Sequence, residues 1–329
     1  MTEKTTEKIL VTRRLPDAVL DRIGARFEMT LRDNTQPMTG REVVAALLEY
    51  DGVLPTLGDP FDAGAFAAFT AANAGRGGRC RLLANFGVGY NHIDTAAAAA
   101  AGIVVTNTPG AVTDATADIA LMLMLMTARR AGEGERMLRR GEWRGWHPTQ
   151  MLGLHMTGKT VGIIGMGRIG KAIARRCHYG FDMRVVFCNR SRVAEPGMPA
   201  EQLGSPEAVA ATADIVVIAV PGGPATRHLI GAGFLAAMKP AGHLVNIARG
   251  DVVDEAALIE ALQSGRIAGA GLDVYEREPE VPAALIGMEN VTLLPHLGTS
   301  ALEVRMAMGM MAADNLFAFF DGKEPPNRV

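Results

Sequence analysis

The feature that most constrains this 329-residue chain is a glycine-rich turn placed between an apolar run and a helical pattern. The run Val161–Ile164 leads into Gly165-Met166-Gly167-Arg168-Ile169-Gly170, and a helical pattern follows over Lys171–Cys177. In a strand–turn–helix unit with this spacing, the first glycine permits the tight turn, the second lets a pyrophosphate approach the backbone, and the third lets helix and strand pack closely. The helix N-terminus favours the phosphate charge. The pattern therefore predicts a dinucleotide site, and the alternative is a purely structural glycine turn.

Short apolar runs recur along the whole chain, separated by stretches of helical length. These runs are Ile9–Val11, Leu82–Ala84, Ile103–Val105, Val161–Ile164, Val185–Cys188, Ile215–Val220, Leu244–Ile247 and Val291–Leu294. Strands that alternate with helices form parallel sheets through right-handed crossovers. The sequence thus predicts an α/β fold with two Rossmann-like parallel-sheet domains, of which the substrate domain is discontinuous.

Two turn-rich positions predict the domain boundaries. The segment Asn107–Gly110 interrupts the strand and helix pattern, and a second boundary is expected after His296. The predicted domains are a dinucleotide-binding domain over 108–296 and a substrate domain over 1–107 and 297–329.

Two helices are predicted next to these boundaries. A long helix is expected to begin near Asp114, after the first boundary. Ser300 and Glu303 have the spacing of a capping box, which predicts the start of a last helix that continues through Phe320 and packs back on the N-terminal part of the chain.

The composition argues against several classes of partner. There are 33 Lys and Arg against 35 Asp and Glu, and only 5% of residues are aromatic, so a nucleic-acid partner is not expected. The longest apolar stretch, Ile119–Ala128, is much shorter than the roughly 20 residues that span a bilayer, so no membrane partner is expected. The N-terminal segment lacks the apolar region of a secretory signal, and three cysteines form no C-x-x-C pair. We therefore expect a cytoplasmic protein, and because the histidines lack ligand spacing, we expect no metal.

The segment after the second predicted strand of the dinucleotide domain bears on the choice of cofactor. Arg184–Cys188 is followed by Asn189, Arg190, Ser191 and Arg192, at the position where an acidic residue would bind the ribose 2′-hydroxyl of NAD. No acid is present in the segment, and the arginines and the serine could pair with a 2′-phosphate. The segment predicts a preference for NADP(H) and leaves NAD(H) possible. The alternative is a solvated basic loop.

Three ionisable residues follow apolar runs in the later half of the chain. They are Arg249, Glu278 and His296, and the carboxyl ends of parallel strands are where open sheets bind ligands. Hydride transfer to the carbonyl of a 2-oxo acid needs a cation for the carboxylate, a proton donor for the developing alkoxide, and a group that keeps that donor protonated. These three residues could meet those needs. Individually they could equally be an arginine in a surface pair, a glutamate in a turn before Pro279, and a core or capping histidine.

The order of several motifs resembles the D-isomer-specific 2-hydroxyacid dehydrogenase family over most of the chain. The matching stretches are Asn85–Asp94, Val105–Gly110, Thr113–Asp118, the glycine turn, Asn246–Asp254, Gly269–Pro279 and Pro295–Gly298. The resemblance implies that Arg249, Glu278 and His296 form the catalytic set. It also implies that Gly87, Val88 and Gly89 offer backbone N–H groups to the substrate carboxylate, with Arg249 and His296 as further substrate contacts.

The ends of the apolar runs and the resemblance together give further candidate cofactor contacts. Besides the glycine turn and the segment that begins at Asn189, the residues assigned to the cofactor are Thr116, Val220, Pro221, Thr226, Ile247, Ala248, Arg249, Asp273, His296 and Gly298. Asp273 is expected near the nicotinamide amide, with the capping of a turn as its alternative. Val220 and Pro221 are expected beside the adenosine ribose.

The segment Trp143–Pro148 further resembles the glyoxylate and hydroxypyruvate reductase branch of the family. In that branch the loop reaches a neighbouring subunit, which implies a homodimer in which one tryptophan of the segment walls the partner's substrate pocket. Trp143 is the candidate for that role, and Trp146 is the other possibility. The alternative is a tryptophan that only anchors an interface, since interfaces are enriched in Trp.

The combined expectation is an NADPH-dependent reductase that converts small 2-oxo acids such as glyoxylate or hydroxypyruvate into D-2-hydroxy acids, with His296 as proton donor. Two alternatives remain. One is an NAD-linked dehydrogenase of the phosphoglycerate or formate type, and the other is a non-enzymatic NAD(P)-sensing interaction protein, because the fold alone does not decide function.

Overall fold

A computed structural model describes residues 5–73 and 78–329 of the chain. The described residues form two compact units, one that ends at Val112 and resumes at Ser300, and one that spans Thr113–Thr299. No helix within the described ranges is long and apolar enough to cross a membrane.

The unit boundaries lie a few residues beyond the positions 107 and 296 at which the sequence placed them. At the first boundary, the shift is explained by the hydrogen bonds of Asn107. Its amide donates to the carbonyl of Asn327 at 3.0 Å, and its carbonyl accepts from the side-chain amide of Asn315 at 3.2 Å. These bonds keep the turn after position 107 in the first unit.

The first unit is built on a five-stranded parallel sheet. Its strands are β1 (Lys8–Val11), β2 (Glu28–Leu31), β3 (Gly52–Leu54), β4 (Leu82–Ala84) and β5 (Val104–Thr106), in the order β2-β1-β3-β4-β5. Its N-terminal helices are α1 (Asp17–Gly24), α2 (Gly40–Glu49), α3 (Ala63–Ala72) and α4 (Thr95–Ala100). Strands β3 and β4 are buried along their whole length, as expected for a sheet covered by helices on both faces.

The second unit is built on a seven-stranded sheet, again parallel throughout. Its strands are β6 (Thr160–Ile164), β7 (Arg184–Cys188), β8 (Glu201–Gln202), β9 (Ile215–Ile218), β10 (His243–Asn246), β11 (Gly269–Leu272) and β12 (Val291–Leu293), in the order β12-β11-β10-β9-β6-β7-β8. Its helices are α5 (Thr113–Ala128), α6 (Ala131–Arg139), α7 (Arg168–Phe181), α8 (Pro206–Thr212), α9 (Ala232–Ala237), a 3-10 turn (Gly250–Val252), α10 (Glu255–Gln263) and α11 (Ala283–Ile286).

Side chains of the central strands pack into a separate apolar core on each face of this sheet. In β9, Val216 and Ile218 belong to one core, whereas Ile215 and Val217 belong to the other. The direction of the strand order reverses between β6 and β9, and open α/β sheets bind ligands at such a reversal. The predicted α/β class with two parallel-sheet domains is confirmed.

The last helix, α12 (Leu302–Phe320), returns to the first unit. It ends where the sequence predicted, and its Phe317 ring lies 5.5 Å from that of Phe27. The predicted capping box is wrong, because Ala301 occupies the N-cap position and no side chain caps the helix. The Ser300 hydroxyl instead accepts a hydrogen bond from the Arg305 guanidinium at 3.1 Å.

Candidate active site

The glycine turn connects β6 to α7 at the reversal of strand order. Gly165 has a φ of +98°, and a Cβ there would lie 2.7 Å from the carbonyl oxygen of Ala219. A Cβ on Gly170 would overlap the carbonyl of Gly165, whereas the space in front of Gly167 is open. Gly167 is the N-cap residue of α7, which has no side-chain cap. An open backbone at an uncapped helix N-terminus suits a pyrophosphate, so these residues fit a dinucleotide.

The segment that follows β7 is tied to this turn. The side-chain oxygen of Asn189 accepts from the amide of Met166 at 3.1 Å, and its side-chain nitrogen donates to the carbonyl of Ser191 at 3.0 Å. Arg190, Ser191 and Arg192 are exposed. Cationic and hydroxyl side chains are therefore displayed where a dinucleotide presents its adenosine ribose.

Arg249 follows β10 and is the cation of the candidate site. Its neighbour Gly250 lies so close to the backbone of Tyr275 that any side chain there would clash. The Arg249 guanidinium donates to the carbonyl of Ala248 at 2.6 Å. Burial lowers the pKa of Arg249, while the negative charges of Glu278 and Asp251 oppose that shift. Arginine is effectively always protonated, so the side chain is a half-buried cation held near a carboxylate.

Glu278 and His296 are joined by a hydrogen bond. His296 Nδ1 lies 2.8 Å from Glu278 Oε2, and the other carboxylate oxygen accepts from the amide of Tyr275 at 3.1 Å. Burial would raise the pKa of Glu278, but the hydrogen bond and charge of His296, the Tyr275 amide and the charge of Arg249 together hold it below its usual value. The Glu278 carboxylate is therefore favoured in its ionised form, in which it can accept a hydrogen bond from the imidazole Nδ1–H.

Asp273 follows β11 and fixes the turn that carries His296. Its two carboxylate oxygens accept from the amides of Leu297 at 2.6 Å and Gly298 at 2.8 Å, and its carbonyl accepts from the amide of His296 at 3.0 Å. The side chain is 1% exposed, and burial raises its pKa against the opposing effects of the Leu297 amide, the His296 charge and the Gly298 amide. These contacts match the turn-capping alternative, with His296 itself at a φ of +54°.

The other predicted cofactor contacts lie along the same carboxyl edge of the sheet. The buried Thr116 hydroxyl donates to the carbonyl of Gly298 at 3.2 Å, which places both beside Asp273. Ile247 and Ala248 are buried after β10. After β9, Val220 is half-buried and Pro221 is exposed.

The hydroxyl of Thr226 is already used within its own turn. It donates to the carbonyl of Pro221 at 2.7 Å. The side chain therefore stabilises the turn after β9 in this structure.

The Gly87–Gly89 loop belongs to the first unit, where it follows β4. The buried Asn85 side chain donates to the carbonyls of Gly87 at 3.0 Å and Gly89 at 3.1 Å, and Asn107 donates to the carbonyl of Val88 at 2.9 Å. The amide of Gly87 donates to the carbonyl of Asn85. All three loop carbonyls are thus engaged by protein, which fixes the conformation of the loop.

Trp143 lies on an exposed segment of the second unit. The side chain is 50% exposed and its indole nitrogen donates to the Gln150 side chain at 3.4 Å. The described part of the second unit therefore contains Arg249, Glu278, His296 and Asp273 as one group, with Trp143 outside it.

Two further residues, Gly250 and Tyr275, support this group and were not predicted from the sequence. Gly250 is required by its contact with the Tyr275 backbone, and the Tyr275 hydroxyl donates to the carbonyl of Leu294 at 2.9 Å. The only local sequence signal for Gly250 is its place next to Arg249. Tyr275 has no sequence signal beyond its position after a strand. Over residues 5–73 and 78–329, no cluster of three or more His, Cys, Asp or Glu side chains could hold a metal ion.

Comparison with known proteins gives a consistent result. A sequence model of the D-isomer specific 2-hydroxyacid dehydrogenase NAD binding domain matches residues 121–298. The chain is 40% identical to a glyoxylate reductase of Pyrococcus furiosus over 98% of its length and 95% of the relative's. It is 41% identical to a glyoxylate reductase of Korarchaeum cryptofilum, again over 98% and 95% of the two chains.

Solved structures agree with the sequence relatives. An NADPH-dependent glyoxylate/hydroxypyruvate reductase of Sinorhizobium meliloti, in complex with NADP and malonate, superposes with a TM-score of 0.86 at 37% identity and covers 99% of this chain and 97% of its own. A D-isomer specific 2-hydroxyacid dehydrogenase of Polaromonas sp. gives a TM-score of 0.88 at 33% identity over 99% and 100% of the two chains.

Proposed function

This chain belongs to the D-isomer specific 2-hydroxyacid dehydrogenase family of NAD(P)-dependent oxidoreductases, and from that premise we propose that it reduces small 2-oxo acids, glyoxylate and hydroxypyruvate among them, to 2-hydroxy acids with NADPH. The observation that carries the proposal is the Glu278–His296 pair, held together with Arg249 in the unit that contains the glycine turn. Full-length relatives that are named glyoxylate reductases support the substrate class.

The residues divide the chemistry as follows. Arg249 binds the substrate carboxylate, since a half-buried guanidinium pairs well with a planar carboxylate. Bound NADPH supplies the hydride that is added to the carbonyl carbon.

His296 delivers the proton to the carbonyl oxygen. Nδ1 of the ring is held by Glu278 at 2.8 Å, so Nε2 is the atom that faces the substrate oxygen and donates. Glu278 favours the protonated ring, and proton donation as negative charge develops on the oxygen lowers the barrier. A formate-type reaction needs no such donor, and therefore the pair supports 2-oxo acid reduction.

The preference for NADPH rests on the segment after β7. Arg190, Ser191 and Arg192 are exposed and no acid stands among them. A 2′-phosphate would pair with these cations, whereas an NAD ribose would lack the acidic partner that its 2′-hydroxyl prefers. The NADP complex of the Sinorhizobium relative supports this part of the proposal for a similar chain.

The test is a spectrophotometric assay with glyoxylate, hydroxypyruvate and pyruvate, each supplied with NADPH and with NADH. We expect turnover of at least one acid, a lower KM for NADPH than for NADH, and D-glycerate as the product from hydroxypyruvate. Absence of turnover with every acid would favour the NAD(P)-sensing alternative. Equal use of NADH would overturn the cofactor preference alone, and L-glycerate would overturn the stereochemistry.

We also propose that the chain is a cytoplasmic homodimer that associates through the segment around Trp143. Large apolar side chains on and beside that segment are exposed: Leu138 at 60%, Trp146 at 79% and Leu152 at 69%. Several large exposed apolar side chains on one short stretch of chain support an interface there, because exposed apolar patches mark protein interaction sites.

A further inference from the structure

The side chain of Gln202 spans the segment that follows β7. Its oxygen accepts from the amide of Val193 at 2.9 Å, and its nitrogen donates to the carbonyls of Ser191 at 3.0 Å and Asn189 at 3.4 Å. Gln202 lies on the two-residue edge strand β8, where it pairs with Phe187 of β7. One half-buried amide group therefore fixes three backbone groups of a five-residue segment.

These bonds extend to the glycine turn through Asn189. The Asn189 side chain accepts from the Met166 amide and donates to the Ser191 carbonyl, and Gln202 donates to the same Ser191 carbonyl. The spacing between the turn and the segment is thus set by side-chain amides. Only a group that is both donor and acceptor can make the contacts of Gln202, since it receives one N–H and donates to two carbonyls.

The segment held in this way displays two arginines. Arg190 and Arg192 are exposed, and none of the ion pairs recorded within the described ranges includes either of them. When an arginine side chain and its backbone become ordered around an anion, both lose conformational entropy. A backbone that is already fixed before binding removes the main-chain share of that loss.

We infer that Gln202 is a positioning residue that sets the discrimination between NADPH and NADH by holding Arg190 and Ser191 at the 2′-phosphate. The inference rests on the proposed NADPH preference. Gln202 contacts backbone atoms of the segment, and the phosphate itself is bound by Arg190 and Ser191. Its loss should therefore weaken binding of the 2′-phosphate and leave the rest of the dinucleotide unaffected.

The experiment measures binding by isothermal titration calorimetry with two probes, adenosine 2′,5′-bisphosphate and 5′-AMP. The variant Gln202→Met keeps the side-chain length and removes all three hydrogen bonds. We expect its Kd for the bisphosphate to rise about tenfold, as loss of one to two net hydrogen bonds implies, with the Kd for 5′-AMP within about twofold of wild type. Gln202→Glu should weaken the bisphosphate at least as much, because it keeps only the acceptor and adds negative charge.

Glu201→Gln is the matched control. The Glu201 side chain pairs with Arg184 at 2.6 Å on the surface, so its substitution should leave both Kd values unchanged. Kinetics give a second measure: Gln202→Met should raise the KM for NADPH while kcat at saturating NADPH and the KM for NADH stay constant.

The outcomes separate the two proposals. A wild type that binds both probes equally overturns the NADPH preference and this inference with it. If the wild type prefers the bisphosphate and Gln202→Met binds it unchanged, or loses both probes equally, then the inference alone is overturned.

Discussion

Replacing Glu278 with Gln changes the charge beside His296 and leaves the side-chain size unchanged. In the native pair, one carboxylate oxygen accepts from the Tyr275 amide and the other faces His296 Nδ1. Glutamine has a single oxygen, and the fixed Tyr275 amide requires it. The –NH₂ group must then face Nδ1, which disfavours a proton on that nitrogen. The substitution therefore acts directly on the protonated form of the ring.

The size of the effect follows from the type of hydrogen bond that is lost. A hydrogen bond to a charged group contributes about 1.5–3 kcal/mol. The two side chains are 29% and 30% exposed, so solvent screening places the pair near the lower end, about 1.5–2 kcal/mol. If this stabilisation is realised when the ring donates its proton, kcat should fall about 10- to 30-fold.

The assay is steady-state reduction of the best 2-oxo acid at pH 7 with saturating NADPH. We expect the loss in kcat, with a KM for NADPH close to that of wild type, since Glu278 is not among the residues predicted to contact the cofactor. Glu280→Gln is the control, because it removes one negative charge two residues away on an exposed position and should leave kcat unchanged. A kcat for Glu278→Gln within twofold of wild type would refute the reasoning, as would an equal loss in the control.

Further predictions follow from the same geometry. His296→Gln should lower kcat about 10²- to 10⁴-fold and leave the Kd for NADPH, measured by fluorescence titration, within twofold of wild type. The pKa of Glu278 is lower in the folded protein than its ordinary value of 4.5. The ionised carboxylate therefore stabilises the fold at pH values above 4.5, and this stabilisation is lost as the pH falls through the lowered pKa. The difference in urea unfolding free energy between wild type and Glu278→Gln should therefore be present at pH 7 and shrink in acid; a difference that grows in acid contradicts the assignment. Trp143→Ala should alter the relative kcat/KM of glyoxylate and hydroxypyruvate if the indole walls a partner's pocket, whereas a weaker dimer with an unchanged substrate profile, measured by light scattering and kinetics, favours an interface anchor.

The elements that sequence predicts well are those whose local pattern matches their surroundings. All eight apolar runs overlap a strand of the two sheets, and the glycine turn lies between β6 and α7. In these places a continuous apolar run means burial on both faces of a parallel strand. The spacing of the glycines adds the turn and the helix start, and neither depends on distant residues.

Some strands lack an apolar run in the sequence, and the structure shows why. Strand β11 is Gly269-Ala270-Gly271-Leu272, in which a Cβ on Gly269 would lie 2.7 Å from the Asn290 carbonyl and one on Gly271 would lie 3.1 Å from Leu123 Cβ. Its small residues reflect close approach by α5 and the start of β12, which no local pattern reveals. Strand β2 is partly exposed along its length, and β8 has only two residues.

Asp273 shows why the candidate site is harder to predict than the sheet that carries it. Its position after a strand and the family resemblance predict a cofactor contact, which stays a prediction. The structure adds that its carboxylate accepts from the amides of Leu297 and Gly298, 24 and 25 residues later. Those partners are adjacent because β11 and β12 pair in parallel, so their carboxyl ends meet at one edge. A buried carboxylate that holds two amides fixes the turn, and the turn holds His296 in a left-handed conformation beside Glu278. The position of the proposed proton donor thus depends on strand register, which a single sequence leaves open.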